Sequence, residues 1–323
     1  MTIQNSTAVK PDSSDLARSS KVNAHLNVDY EAFRQSFDRE PFGFTHNLSG
    51  LDLFTPDSLQ NLAENFSESP RDYFIAGSAA SPGTTFYSVP NGGLNPREAV
   101  ESLDKGHHRV LLKRPENHDA RFRDLLEMLF RQVVDLRGGL GGERVERLES
   151  AVLISSGSTT TPIHFDPEVG FFSQIEGEKS YHVYPPDCAS EAELERFYIR
   201  GRVDIGNVDM SGLDSTREHV FYLGPGKGLH QPQNAPHWVQ TGNSRSVSYT
   251  FVFQTAASRA LGRTRAFNYC LRKCRFNPSL PRTHPGLDAA KAGAMHAAMP
   301  IQFAGRILNK AQRVLTGRRL SGG

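Results

Sequence analysis

His164 and Asp166 stand two residues apart in Thr161-Pro162-Ile163-His164-Phe165-Asp166, a stretch whose composition reads as β. Successive strand side chains alternate faces, so these two share one. Pro236-His237-Trp238, on a later strand, could bring a second imidazole to the same spot; His237 follows Asp166 by 71 residues. Two imidazoles and one carboxylate on one side of an ion leave its other positions open. That is the facial arrangement with which non-haem Fe(II) oxygenases take a keto acid and dioxygen. A lone His-x-Asp is common at surfaces and caps, so the weight lies in the surroundings.

Those surroundings are β-rich. Short strands are expected at Ala151–Ser155, Ile163–Asp166, Phe171–Ile175, Ser180–Tyr184, His219–Leu223, Leu229–Gln231, His237–Gln240 and Ser246–Phe253, with Glu176-Gly177-Glu178 as a hairpin turn and a helix over Ser190–Ile199. Many short antiparallel strands imply a double-sheet barrel, the jelly-roll or cupin architecture (a double-stranded β-helix) with flanking helices. Before it, Thr55-Pro56-Asp57 starts a helix, because Thr caps and Pro suits the first turn. Arg109–Lys113 reads as a strand, and Phe122, Leu125, Leu126, Leu129, Phe130, Val133 and Val134 form one helical stripe. After Thr255 helices are expected at Ala256–Lys273, Asp288–Ala298 and Ile301–Leu315. The chain is thus expected to divide into a disordered polar leader (1–25), mixed α/β elements packing on the barrel (26–150), the barrel core (151–255) and a basic helical region (256–323).

The 323 residues are 37% hydrophobic and 22% charged, ordinary for a globular protein. No apolar run approaches the roughly 20 residues that span a bilayer, and the Ser/Thr-rich start lacks the apolar segment of a signal peptide, so a cytoplasmic location is expected. Cys188, Cys270 and Cys274 are an odd count; Cys270 and Cys274 could share a helix face, and reduced structural thiols are the simpler reading. The net charge of +2 hides a split: from Ala256 onward there are 13 Lys+Arg against the single Asp288, leaving −10 on the remainder. Such a split suits either an anionic partner for the basic tail or two parts that dock on each other. The apolar spacing of Ile301, Ala304, Ile307, Leu308, Ala311 and Leu315 would also suit a dimerisation helix.

Beyond the triad, Phe171–Lys179, Tyr184-Pro185-Pro186-Asp187, Gly224-Pro225-Gly226, Leu229 and Pro232 complete a pattern over about a hundred residues. It resembles the JmjC-type, cupin-like Fe(II)/2-oxoglutarate-dependent oxygenases and is similar to the asparaginyl hydroxylase of hypoxia-inducible factor and its bacterial relatives. The resemblance implies His164, Asp166 and His237 as iron ligands and as the catalytic centre. It implies Lys179 and Thr161 as partners of the distal carboxylate of 2-oxoglutarate, where a charge-assisted bond inside a barrel is strong. The implied reaction hydroxylates a C–H bond of a protein side chain or small molecule, with release of succinate and CO2. Pro167, Lys227 and His230 depart from the family pattern.

His182 could support the metal or simply line the wall, His230 could compete with His237, Ser248 and Thr250 could touch 2-oxoglutarate, and Trp238 reads as packing beside the metal. Substrate contacts are expected from Ser81–Asn95 and Arg200–Glu218. Two other readings stay open at this level: a metal-dependent cupin isomerase or lyase, and a non-catalytic binding module. Lys179 and Thr161 weigh against the first, and an intact triad against the second.

Overall fold

The computed structural model describes residues 23–84, 93–200 and 205–298. β1 (Leu26–Asn27), α1 (Tyr30–Ser36), β2 (Phe42–His46), α2 (Pro56–Asn65), β3 (Tyr73–Gly77), α3 (Pro96–Glu101), β4 (His108–Lys113) and α4 (Ala120–Leu136) come first. Then follow β5 (Val145–Ser155), β6 (Thr160–Phe165), β7 (Val169–Glu176), β8 (Lys179–Val183), α5 (Glu191–Tyr198), β9 (Gly206–Asn207), β10 (His219–Leu223), β11 (Lys227–Gln231), β12 (His237–Thr241) and β13 (Ser246–Thr255). α6 (Ala256–Lys273) and α7 (285–298) complete the described part.

The strands form the expected double-sheet jelly roll. One sheet has the order β1-β2-β11-β7-β13-β5-β4-β3 and the other β10-β8-β12-β6-β9, antiparallel throughout. Residue 151, where the barrel core was expected to begin, lies inside β5, and β1, β2, β3 and β4 complete the larger sheet. The first half of β5 alternates charges, so only its apolar second half reads as a strand in the sequence. Glu176-Gly177-Glu178 is not a hairpin turn: β7 pairs with β11 and β13, and β8 with β10 and β12. The turn instead carries the chain from one sheet to the other. Gly177 adopts φ +70°, and a Cβ there would come within 2.2 Å of the Arg245 carbonyl oxygen.

The central strands of the larger sheet, β7 and β13, are largely buried on both faces. On β13, Val247, Tyr249, Phe251 and Phe253 point to the helices, while Thr250 and Val252 point into the barrel. α4 lays Phe122, Leu125, Leu126, Leu129 and Val133 against that outer face, each gaining about 1.5–3 kcal/mol of gross burial. Asp119 caps α4 by accepting from Arg121 N at 2.8 Å, and Thr55 caps α2 at Ser58 N. Thr255 ends β13 and caps α6 in one residue.

The charge split has a structural counterpart. Arg265 and Arg272 of α6 pair with Glu191 and Glu195 of α5 at 2.8 and 3.0 Å, and Arg259 with Glu146 at 3.1 Å. Cys188, Cys270 and Cys274 are free thiols. No described helix is long and apolar enough to cross a membrane. The helix expected over Ile301–Leu315, most of the leader, and residues 85–92 and 201–204 of the two substrate loops lie outside the described residues.

Gly177→Ala therefore places a β-carbon at positive φ against a backbone atom. We expect a loss of about 1–3 kcal/mol, read as a lower urea midpoint with an unchanged slope; an unchanged midpoint would contradict the corner's role.

Candidate functional site

β12 lies between β6 and β8, and register pairs His237 with His164 directly across the strands. Their ring centroids are 4.1 Å apart. One residue further on, the register slips: Val239 faces Thr161, so Pro162 and Ile163 together oppose Trp238. In a regular strand Thr161 and His164, three apart, would face opposite sides. The bulge resets the alternation, so that Thr161, His164 and Asp166 all line one cavity. Proline, with no N–H to give a ladder, suits the bulge.

Ligand-capable atoms of His164, Asp166 and His237 lie within 4.8 Å of one another, the one cluster of three such side chains among the described residues. Both imidazoles are buried, and burial pushes both below the usual histidine range, so both are neutral. Nδ1 of His164 meets Pro162 O at 2.7 Å and Nδ1 of His237 meets Ala235 O at 3.0 Å. A carbonyl only accepts, so each Nδ1 carries the proton and each Nε2 presents a lone pair. His237 Nε2 then faces Asp166 Oδ2 at 3.7 Å, lone pair to lone pair. A cation between them turns that repulsion into coordination, and two imidazoles with a carboxylate suit a first-row divalent metal.

The surroundings hold these groups in place. Asp166 Oδ2 accepts from Gln231 Nε2 at 3.2 Å, and the Tyr181 hydroxyl donates to Gln231 Oε1. The Tyr181 ring stacks on His237 at 5.3 Å. Asn234, at φ +64°, donates its N–H to Asp166 O at 2.8 Å, while Gln233 and Gln254 both donate to Pro167 O. The loops bearing Asp166 and His237 are thereby tied together.

The cavity, about 270 Å³, is lined by both sheets. Lys179 faces it from β8, 4% exposed, and burial, aided by the positive charge of Arg109, pushes its ammonium down to about 7. Thr161 faces the same cavity and accepts from Arg109 Nη1 at 2.9 Å. Arg109 lies opposite Ser155, at the far end of β5 from Arg147. There Arg147 bridges Glu168 and Glu149, and burial raises Glu168 to about 8. Lys179 and Arg109 thus lie toward one end of the cavity, and Arg147 with the carboxyl groups of Glu149 and Glu168 toward the other.

Thr161, His164, Asp166, Lys179 and His237 all line this one cavity, as does Thr250, whose hydroxyl bonds to Phe171 O. Ser248 instead bonds to Gln174 in the wall. His230 is a core residue: it stacks on Phe37, packs against the tilted rings of Phe42 and Phe171, accepts from Asp38 N and meets Gly170 O. His182 stacks on Trp238 at 3.6 Å, and both bond to Glu218. Trp238 therefore packs on the opposite side of β12 from His237, not beside the triad, because adjacent strand residues alternate faces. Sequence reasoning missed Arg109, Arg147, Glu149, Glu168, Tyr181 and Gln231. The available signal was charge at every second position, Arg147 and Glu149 leading into Ala151, Leu153 and Ser155 on one strand face.

No family model matches the chain. Over 118 residues it is 28% identical to tRNA wybutosine-synthesizing protein 4 of Gibberella zeae, a match covering 36% of this chain and 12% of that protein's length. Two structures of YcfD from Escherichia coli share 18% identity with it over 85% of this chain and 68% of theirs. Their TM-scores are 0.51 and 0.50, the second being of that ribosomal oxygenase in complex with cobalt and 2-oxoglutarate. The chain is thus similar in fold to YcfD.

Proposed function

We propose that this protein is an Fe(II)- and 2-oxoglutarate-dependent oxygenase that hydroxylates a C–H bond of a protein side chain or small molecule. The observation that carries the proposal is the convergence of two neutral imidazoles and Asp166 in a cavity that also holds a buried ammonium. His164, Asp166 and His237 would hold the iron, and Lys179 with Thr161 the distal carboxylate of 2-oxoglutarate. The bound iron and 2-oxoglutarate supply the redox chemistry: one oxygen atom of O2 enters the substrate as hydroxyl and the other enters succinate, with loss of CO2.

The protein's own part is orientation and exclusion of water. The bulge at Pro162-Ile163 turns Thr161 to the same side as the ligands. Gln231 fixes the carboxylate of Asp166, and Tyr181 fixes Gln231. Phe172, Val239 and Leu153 make the intervening wall apolar, which strengthens any charge pairing inside. That YcfD is called a ribosomal oxygenase keeps protein side chains among the candidate substrates. Three free thiols suit a reducing compartment, and we place the reaction in the cytoplasm.

Two outcomes follow. With Fe(II) and ascorbate, purified protein should release succinate from 2-oxoglutarate; His164→Ala and Asp166→Ala should lower that rate by about 100-fold or more, whereas His230→Phe should retain it. Equal rates in all four proteins would overturn the metal assignment. The second concerns pH. The distal carboxylate binds the ammonium form of Lys179, whose proton in the free protein is lost near 7. Affinity for 2-oxoglutarate, measured calorimetrically with Mn(II), should hold steady below pH 7 and weaken above it. Lys179→Arg, always charged, should flatten the profile; a wild-type affinity constant to pH 9 would contradict the role of Lys179.

A further inference from the structure

A second cavity, about 500 Å³, lies where α6 and α7 meet the loop after α1, and it shares no lining residue with the first. Phe37, Val169, Phe253 and Leu261 make part of its wall apolar. The charged side chains of that wall are Asp38, Glu143 and Asp288 against Arg137 and Arg282, three acids to two bases and a net charge of −1. Arg137 pairs with Glu143 at 3.1 Å. Asp38 and Asp288 form no ion pair among the described residues; each caps a backbone N–H instead. Asp38 Oδ1 accepts from Gln233 N at 2.8 Å, and Asp288 Oδ2 from Arg282 N at 2.6 Å. Oδ1 of Asp288 is buried without a hydrogen-bond partner. Asparagine would accept from either N–H equally well, so capping explains the oxygens and not the charges. Burial pushes the Asp38 carboxyl above its usual range, and the Gln233 N–H with the more distant Arg282 and Arg137 only partly offsets it. A buried carboxylate short of a counter-charge is costly until a cation joins it.

We propose that this second cavity is a binding site for a small organic monocation, its ammonium head toward the carboxylates of Asp38 and Asp288 and its apolar body against Phe253 and Leu261. One positive charge cancels the net charge of the wall. The volume falls within the range of small-molecule sites. An anion would meet three carboxylates, and a neutral molecule of the same shape would leave both capping charges as they are. Nothing in this site draws on the metal or on 2-oxoglutarate.

The test uses three probes with one aromatic body and different heads: phenethylammonium, 2-phenylethanol and 3-phenylpropionate. Binding to the full-length protein is read from the backbone amide resonances of Gln233 and Arg282, whose N–H groups bond to the two carboxylates. Phenethylammonium should shift both amides saturably, at concentrations roughly tenfold or more below those at which the alcohol or the acid acts. Asp38→Asn and Asp288→Asn keep the capping oxygens, and each should weaken phenethylammonium roughly ten- to a hundredfold while leaving 2-phenylethanol unchanged. The two substitutions lie on different elements, so either variant answers alone if the other fails to fold. Equal affinity for ammonium and alcohol, unchanged affinity in the variants, or no saturation by about 10 mM phenethylammonium overturns the proposal.

Discussion

Lone pairs of two neutral imidazoles and the oxygen of Asp166 converge within 4.8 Å. Both Nδ1 protons are committed to backbone carbonyls, so both Nε2 atoms carry lone pairs. A cation is the group that satisfies all three at once. Much of the local structure serves to enforce this arrangement. The bulge in β6, the left-handed Asn234, and the glutamine contacts to Pro167 each remove a degree of freedom that would let the three groups drift apart. Burial of the larger sheet's other face against α2 and α4 offsets their cost.

The cavity also has a direction. Cations gather where β4 meets the end of β5, and the carboxyl groups of Glu149 and Glu168 flank Arg147 at the other end of β5. In a low-dielectric space such separation orients a charged ligand before any specific contact forms. A dicarboxylate would enter with one end drawn to Lys179 and the other left at the triad.

The triad was legible because its signals are local: a His-x-Asp at a strand end and a later Pro-His-Trp. The jelly roll was legible from the rhythm of short strands, and α6 from the switch of period at Thr255. Less legible were features that depend on distant partners. Arg109 reads as an ordinary strand residue until β3, β4 and β5 are seen side by side. The charged half of β5 hides its strand character, because its charges face a cavity rather than water. The turn at Gly177 looks like a hairpin, since the sequence gives its tightness but not that its two strands join different sheets. Trp238 shows that adjacency along a strand is the opposite of adjacency in space.

The most direct measurement is an anaerobic titration of the purified protein with Fe(II), with and without 2-oxoglutarate, followed by visible absorption. A metal-to-ligand charge-transfer band that requires both iron and 2-oxoglutarate, and is absent from His237→Ala, is the result the account predicts. Iron binding with no such band at saturating 2-oxoglutarate would contradict it.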